Sequence, residues 1–125
     1  MDALTKAKRI VEIADLKKAH DIDLIEIKDV SSITDYFVIC TANSELQVKA
    51  VADEIEFKLK EEEIYPTHIE GYQTAGWVLL DYNDVVCHIF NKESRDFYGI
   101  EHLWADAKVI NTEELLQKGS SKNEL

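Results

Sequence analysis

The chain has 125 residues and a formal net charge of -11, with 25 acidic side chains against 14 lysines and arginines. A surface this acidic repels phosphate backbones, which disfavours direct nucleic-acid binding, and it attracts basic proteins. The acidity is equally explained by a requirement for solubility. The length suits one domain, and no apolar run approaches the roughly 20 residues of a membrane span, so we expect a cytoplasmic protein without a membrane partner. The two cysteines lie in apolar runs and make no disulfide framework.

The first half of the chain alternates between helical and strand patterns. Apolar residues at helical spacing predict an amphipathic helix from Leu4 to Ala19, and a short alternating run predicts a strand from Asp23 to Ile27. The nearly continuous apolar run from Tyr36 to Thr41 is typical of a central strand buried on both faces. A second helix is predicted to begin after a cap at Asn43 or Ser44 and to end near Glu62. We assign its apolar side to Leu46, Val48, Val51, Ile55 and Leu59.

A β-hairpin is the strongest prediction in the second half. Two strand-forming runs, from Trp77 to Asp81 and from Asp84 to Phe90, flank a short turn that contains Asn83, a residue that tolerates positive φ. A weak edge strand is predicted from Thr67 to Glu70, and a final helix from Lys92 to Trp104. We therefore expect an α/β fold: a single domain over residues 1–110, with a mixed sheet of about five strands flanked by helices. Residues 111–125 are predicted to form a polar, flexible tail.

Three aspartates near strand ends indicate one possible enzymatic function. Asp35, Asp81 and Asp84 are carboxylates of the kind with which a nucleotidyltransferase holds two metal ions. Aspartates that share a metal from one strand need an odd number of residues between them, whereas Asp81 and Asp84 are three apart across a turn. A surface turn is therefore favoured, and a divergent metal-dependent nucleotidyltransferase is kept as the alternative function.

Other polar motifs give weaker indications of chemistry. The segment from Thr41 to Ser44 joins a strand to a helix N-terminus, where amides can hold phosphate, but it lacks glycine and is favoured as a helix cap. Cys87 and His88 are neighbours on a predicted strand, so their side chains point to opposite faces and cannot converge on one atom. The remaining histidines show no zinc-site spacing, and we predict no catalytic, cofactor or metal site.

Hairpin geometry provides a more specific interpretation. A two-residue loop of Tyr82 and Asn83 would place Asp81 opposite Asp84, which is unfavourable for like charges; a three-residue loop or a basic partner over both carboxylates would relieve it. In either register Trp77, Leu79 and Asp81 share one face of their strand. That face could be a docking patch with an aromatic anchor and an acidic rim, because Trp is enriched at interface hot spots. Alternatively, Trp77 simply fills the core.

Ordered motifs across most of the chain resemble those of the ribosomal silencing factor family, also called Iojap-like. The matching segments are Asp35 to Ser44 with Gln47-Val48, Glu70-Gly71, Trp77 to Asp81, Asp84 to Phe90, Glu93 to Tyr98 and Glu101 to Ala107. Asn83 stands where members often have Gly, and Cys87 where Val is usual. Both differences are conservative for a turn and a buried strand.

The resemblance implies a binding protein without enzymatic activity and a fold related to nucleotidyltransferases that lacks their catalytic residues. Members are often homodimers that bind the large ribosomal subunit through large-subunit ribosomal protein fourteen. They thereby block joining of the small subunit and repress translation under nutrient limitation. The resemblance implies partner contacts at Trp77, Leu79 and Asp81, with Glu93 and Arg95 as further candidates. The matching residues Asp35, Tyr36, Glu70, Asp84, His88 and Tyr98 are either contact or framework.

Overall fold

The computed structural model describes residues 1–100, 102, 106–113 and 115–116. Within them the chain forms a mixed sheet with helices, as predicted, but the sheet has six strands rather than about five. In chain order the elements are α1 (Ala3–Leu16), β1 (His20–Glu26), β2 (Tyr36–Ala42), α2 (Glu45–Glu61), β3 (His68–Glu70), β4 (Trp77–Asp81), β5 (Val85–Asn91), α3 (Lys92–Tyr98) and β6 (Lys108–Ile110). None of the described helices is both long and apolar enough to cross a membrane.

The sheet has the order β3-β4-β5-β2-β1-β6 and is antiparallel except where β2 runs parallel to β5. Every residue of β2 is buried, which confirms the predicted central strand, and β3 is an edge strand as expected. The main core lies between α1, α2 and one face of the sheet. A smaller apolar cluster covers the opposite face, and it contains Phe37, Ile39, Val86, Phe90 and Ile100.

Local capping explains where α1 and α2 begin. The Asp2 carboxylate accepts a hydrogen bond from the Thr5 amide, and the Ser44 hydroxyl accepts one from the Gln47 amide. The Gln47 side chain in turn accepts from the Asn43 amide at 2.7 Å, which ties the residue before the cap to the first turn of α2. One assignment on α2 was wrong: Leu46 is 80% exposed. At 3.6 residues per turn it lies nearly opposite Ile55, in the middle of the buried side.

The hairpin between β4 and β5 is confirmed, but the register that would place Asp81 opposite Asp84 is wrong. Asp81 pairs with Val86, and Trp77 pairs with Phe90. The loop therefore falls one position later, on Asn83 and Asp84. Asn83 adopts φ 76°, and its amide donates to the Asp81 carboxylate at 2.8 Å, which stabilises the turn in this register.

The last elements differ most from prediction. The final helix ends at Tyr98 instead of continuing to Trp104, because Gly99 takes a left-handed conformation (φ 49°) and its amide bonds back to the Arg95 carbonyl. Residue 104 lies outside the described residues. The short strand β6 was not predicted; it pairs with β1 at the far edge of the sheet. Most of the predicted tail also lies outside the described residues, and Leu115 and Leu116 pack against the main core.

Candidate protein-docking face

Strand alternation divides β4 between two environments. Val78 and Leu80 are buried in the main core beneath the helices. Trp77, Leu79 and Asp81 point to the other face, as the sequence predicted, and all three are partly exposed. Because α1 and α2 both contribute to the core on the Val78 side, the face with Trp77 has only a small apolar cluster beneath it and remains partly open to solvent.

Helix α3 adds two aromatic side chains to this face. The Tyr98 ring centroid lies 4.8 Å from that of Trp77, and Phe97 packs edge-on against Tyr98 at 5.1 Å. Phe97 is 82% exposed and Tyr98 is 50% exposed, although both are large apolar groups. We call Trp77, Leu79, Phe97 and Tyr98 the aromatic patch. Solvent-facing aromatics that lie together in this way are typical of surfaces that bind a protein partner.

The sequence interpretation overlooked Phe97 and did not separate Tyr98 from framework residues. The signal that could have identified them is Gly99. A glycine directly after an aromatic pair at the end of a helical segment is a typical helix C-terminus signal, which would have placed Phe97 and Tyr98 in the last turn. Their proximity to Trp77 depends on how α3 packs on the sheet, which spacing along the chain does not reveal.

A buried layer beneath the patch supports Trp77. Its indole ring stacks on Phe90 with a centroid distance of 4.9 Å, and its Nε1 donates a hydrogen bond to His88 Nδ1 at 3.1 Å. His88 also packs edge-on against Phe37 at 4.7 Å. Burial lowers the pKa of His88 to about 4, and the negative charge of Asp81 only partly opposes this shift. Cys87, next in the chain, points into the opposite core, so the two do not form a nucleophile–base pair.

Acidic and polar groups border the patch. Asp81 is partly exposed at the end of β4, where it is the strand-pairing partner of His68 in the edge strand β3. Glu70 of β3 is exposed and pairs with Leu79, so it lies on the same face beside the aromatic patch. These two carboxylates place negative charge beside the aromatic patch, which suits a partner surface that carries lysine or arginine.

The two candidates on α3 occupy different environments. Glu93 is exposed in the first turn. Arg95 is only 9% exposed, and its guanidinium donates to the Asp21 carbonyl, to Thr41 Oγ1 at 2.9 Å and to the Asp23 carboxylate at 2.6 Å. These bonds tie α3 to β1 and β2. Arg95 is therefore placed to hold α3, and with it Phe97 and Tyr98, against the sheet.

Two of the three aspartates considered for metal binding use their carboxylates within the chain. Lys6 Nζ of α1 lies 2.7 Å from the Asp84 carboxylate, and the Asp81 carboxylate accepts a hydrogen bond from the Asn83 amide. Across the described residues, no group of three or more His, Cys, Asp or Glu side chains is arranged to hold a metal ion. At the start of α2, the Asn43 and Gln47 amides are engaged by side chains of the chain itself.

Comparisons with known proteins agree with the motifs. The family model described as "Ribosomal silencing factor during starvation" matches residues 1–124. A ribosomal silencing factor from Halalkalibacterium halodurans is 42% identical over 106 residues, covering 85% of this chain and 91% of the relative. One from Bacillus subtilis is 42% identical over 108 residues, covering 83% of this chain and 92% of the relative.

A solved structure is similar to this chain in both fold and sequence. The crystal structure of a protein from Chromobacterium violaceum superposes with a TM-score of 0.82 at 33% identity, covering 84% of this chain and 88% of that one. The family match extends over nearly the whole sequence and includes both strands of the hairpin and α3. The chain therefore belongs to the ribosomal silencing factor family.

Proposed function

We propose that this protein binds the large ribosomal subunit through large-subunit ribosomal protein fourteen, using the face that carries Trp77, Leu79 and Asp81. Occupancy of that site blocks joining of the small subunit and lowers translation under nutrient limitation. The mechanism is steric and reversible, and it requires no chemistry on a substrate. Family membership supports the ribosome as the target, and the names of the relatives agree with it.

The observation that carries the choice of face is the aromatic patch. Among the described residues, Phe97 is the most exposed large apolar side chain, and it lies against Tyr98, which lies against Trp77. Trp77 contacts Phe90 and Tyr98 and donates a hydrogen bond to His88, so its ring has little side-chain freedom left to lose when a partner binds. Trp and Tyr are also the residue types most enriched among interface hot spots.

Charge provides the second argument. The chain carries a net charge of -11, and Asp81 and Glu70 lie next to the aromatic patch. An acidic rim accelerates encounter with a basic ribosomal protein and fixes its orientation, more than it adds to affinity. We therefore expect binding to weaken as salt rises, and the slope of that dependence to become smaller in Asp81→Asn.

Co-sedimentation with purified large subunits tests the proposal. Trp77→Ala should weaken binding by about 30-fold or more, the loss typical of a hot-spot residue. Because Trp77 also packs on Phe90, its truncation costs stability, so Phe97→Ala is the cleaner variant. Its side chain is 82% exposed, so the domain should fold normally while binding falls.

A matched control lies on the other side of the sheet. Phe57 of α2 is 56% exposed, and α2 packs on the opposite face, so Phe57→Ala removes the same side chain from a different surface. We expect this variant to sediment like the wild type. Equal binding by Phe97→Ala, Trp77→Ala and wild type would contradict the proposed docking face.

The family resemblance also leads us to propose that the protein acts in the cytoplasm as a homodimer. Light scattering coupled to size-exclusion chromatography measures the oligomeric state directly. A mass near 14.3 kDa, that of one chain, at micromolar concentration would contradict the dimer.

A further inference from the structure

His88 is a polar residue in an apolar place. It occupies the middle of β5, where it is 5% exposed and where its neighbours Cys87 and Ile89 point into the opposite core. Its ring packs against Phe37 at 4.7 Å and lies 6.2 Å from Phe90. A phenyl ring would satisfy these contacts equally well. The packing alone does not explain an imidazole at this position.

The hydrogen bond to Trp77 fixes the state of the imidazole. Trp77 Nε1 can only donate, so His88 Nδ1 accepts, at 3.1 Å, and must be unprotonated. The neutral ring then carries its proton on Nε2, which has no hydrogen-bond partner among the described residues. Burial of an unpaired donor opposes folding. What the imidazole provides that a phenyl ring would not is an acceptor for the indole.

We propose that His88 is the positioning residue of the docking face: its Nδ1 holds the Trp77 indole N–H and thereby sets the plane in which the ring is presented to the partner. This inference rests on the proposed function. Phe90 and Tyr98 also contact the indole ring, with centroid distances of 4.9 and 4.8 Å, but stacked rings can slide and rotate, whereas a hydrogen bond has a direction.

The bond also defines what Trp77 offers to a partner. The indole has one polar hydrogen, and that hydrogen is used inside the protein. The ring therefore presents an apolar, π-rich surface without a free donor. Such a surface fits an aliphatic side chain or the cation of a lysine or arginine, which agrees with a basic partner. A partner group that requires a hydrogen-bond donor from Trp77 is excluded.

The test compares two substitutions that separate the acceptor from the ring. His88→Phe keeps an aromatic ring and removes the acceptor, whereas His88→Asn keeps an acceptor oxygen near the position of Nδ1. Nuclear magnetic resonance of the indole N–H, assigned by Trp77→Phe, reports the bond directly. We expect His88→Phe to shift the Trp77 indole resonance, to speed its exchange with solvent and to weaken subunit binding about tenfold. His88→Asn should stay closer to the wild type in indole resonance, exchange rate and subunit binding.

A double-mutant cycle tests the same role without His88→Asn, so the result does not depend on whether that variant folds. In a Trp77→Phe background the donor is absent, so His88→Phe should cause no further loss of binding. An unchanged indole resonance in His88→Phe, or an equal loss of binding in both backgrounds, would overturn the positioning role. If instead Trp77→Ala binds like the wild type, the docking face is wrong, and the indole resonance still decides whether His88 holds Trp77.

Discussion

Arg95 offers a test of whether a family-matched residue is a contact or a support. Its guanidinium joins α3 to two strands through the Asp21 carbonyl, Thr41 Oγ1 and the Asp23 carboxylate. Arg95→Met keeps most of the aliphatic stem and removes all three of these bonds. The substitution therefore isolates the contribution of the guanidinium to stability and to the placement of α3.

The expected cost follows from those contacts. The Asp23 side chain is 43% exposed, so water screens its ion pair, which we value at about 1 kcal/mol or less. The bonds to Thr41 and the Asp21 carbonyl contribute about 1 kcal/mol each, because their acceptors lose a partner in a partly buried site. The free energy of unfolding should fall by about 3 kcal/mol. For a domain of this size the Tm should fall by roughly 10 °C.

Urea and thermal unfolding, followed by circular dichroism, measure both quantities. Glu93→Gln is the control: Glu93 is an exposed residue of the same helix, and its neutralisation should change stability by about 0.5 kcal/mol or less. Below its Tm, Arg95→Met should still bind large subunits, although more weakly, because α3 is held less firmly. A variant that is as stable as the wild type but no longer binds would refute the supporting role and make Arg95 a contact.

Two further predictions concern residues next to Trp77. Burial holds the pKa of His88 at about 4, below its ordinary 6.5, so the unfolded chain binds more protons between these values and stability falls as pH drops. From pH 7.5 to 5.5 the wild type should lose about 1 kcal/mol more than His88→Phe in urea titrations; equal losses would contradict a neutral, buried His88. Gly71 has φ 79°, and an added Cβ would lie 2.0 Å from the Trp77 carbonyl oxygen. Gly71→Ala should therefore destabilise the domain by about 2 kcal/mol in the same assay, and a wild-type Tm would count against this close approach.

Sequence patterns predicted those parts of the fold that depend on local periodicity. The alternation from Trp77 to Asp81 correctly separated buried Val78 and Leu80 from their neighbours, because successive side chains of a strand point to opposite faces. The loop position was not predictable from that alternation. It was decided by the Asn83 amide, which bonds the Asp81 carboxylate, and by the positive φ of Asn83.

Features that depend on tertiary contacts were missed. The three residues of β6 are too few to show strand alternation, and they form a strand by pairing with the edge of β1. The predicted helix from Lys92 to Trp104 ran past Gly99, where a left-handed residue ends α3. For the docking face, the side-chain direction of Trp77 was predictable, whereas Tyr98 and Phe97 joined it only through the packing of α3.

The parallel pairing of β2 with β5 has a consequence for the order in which the chain folds. Tyr36 pairs with Val85, 49 positions away, so a long loop must close before these strands stabilise each other. The β4–β5 hairpin needs only the turn at Asn83 and can form early. We expect φ-values to be higher for Leu80 than for Val38, and the reverse order would refute this sequence of events. Strand β5 contributes residues to both apolar clusters. It would then pair with β4 before it pairs with β2.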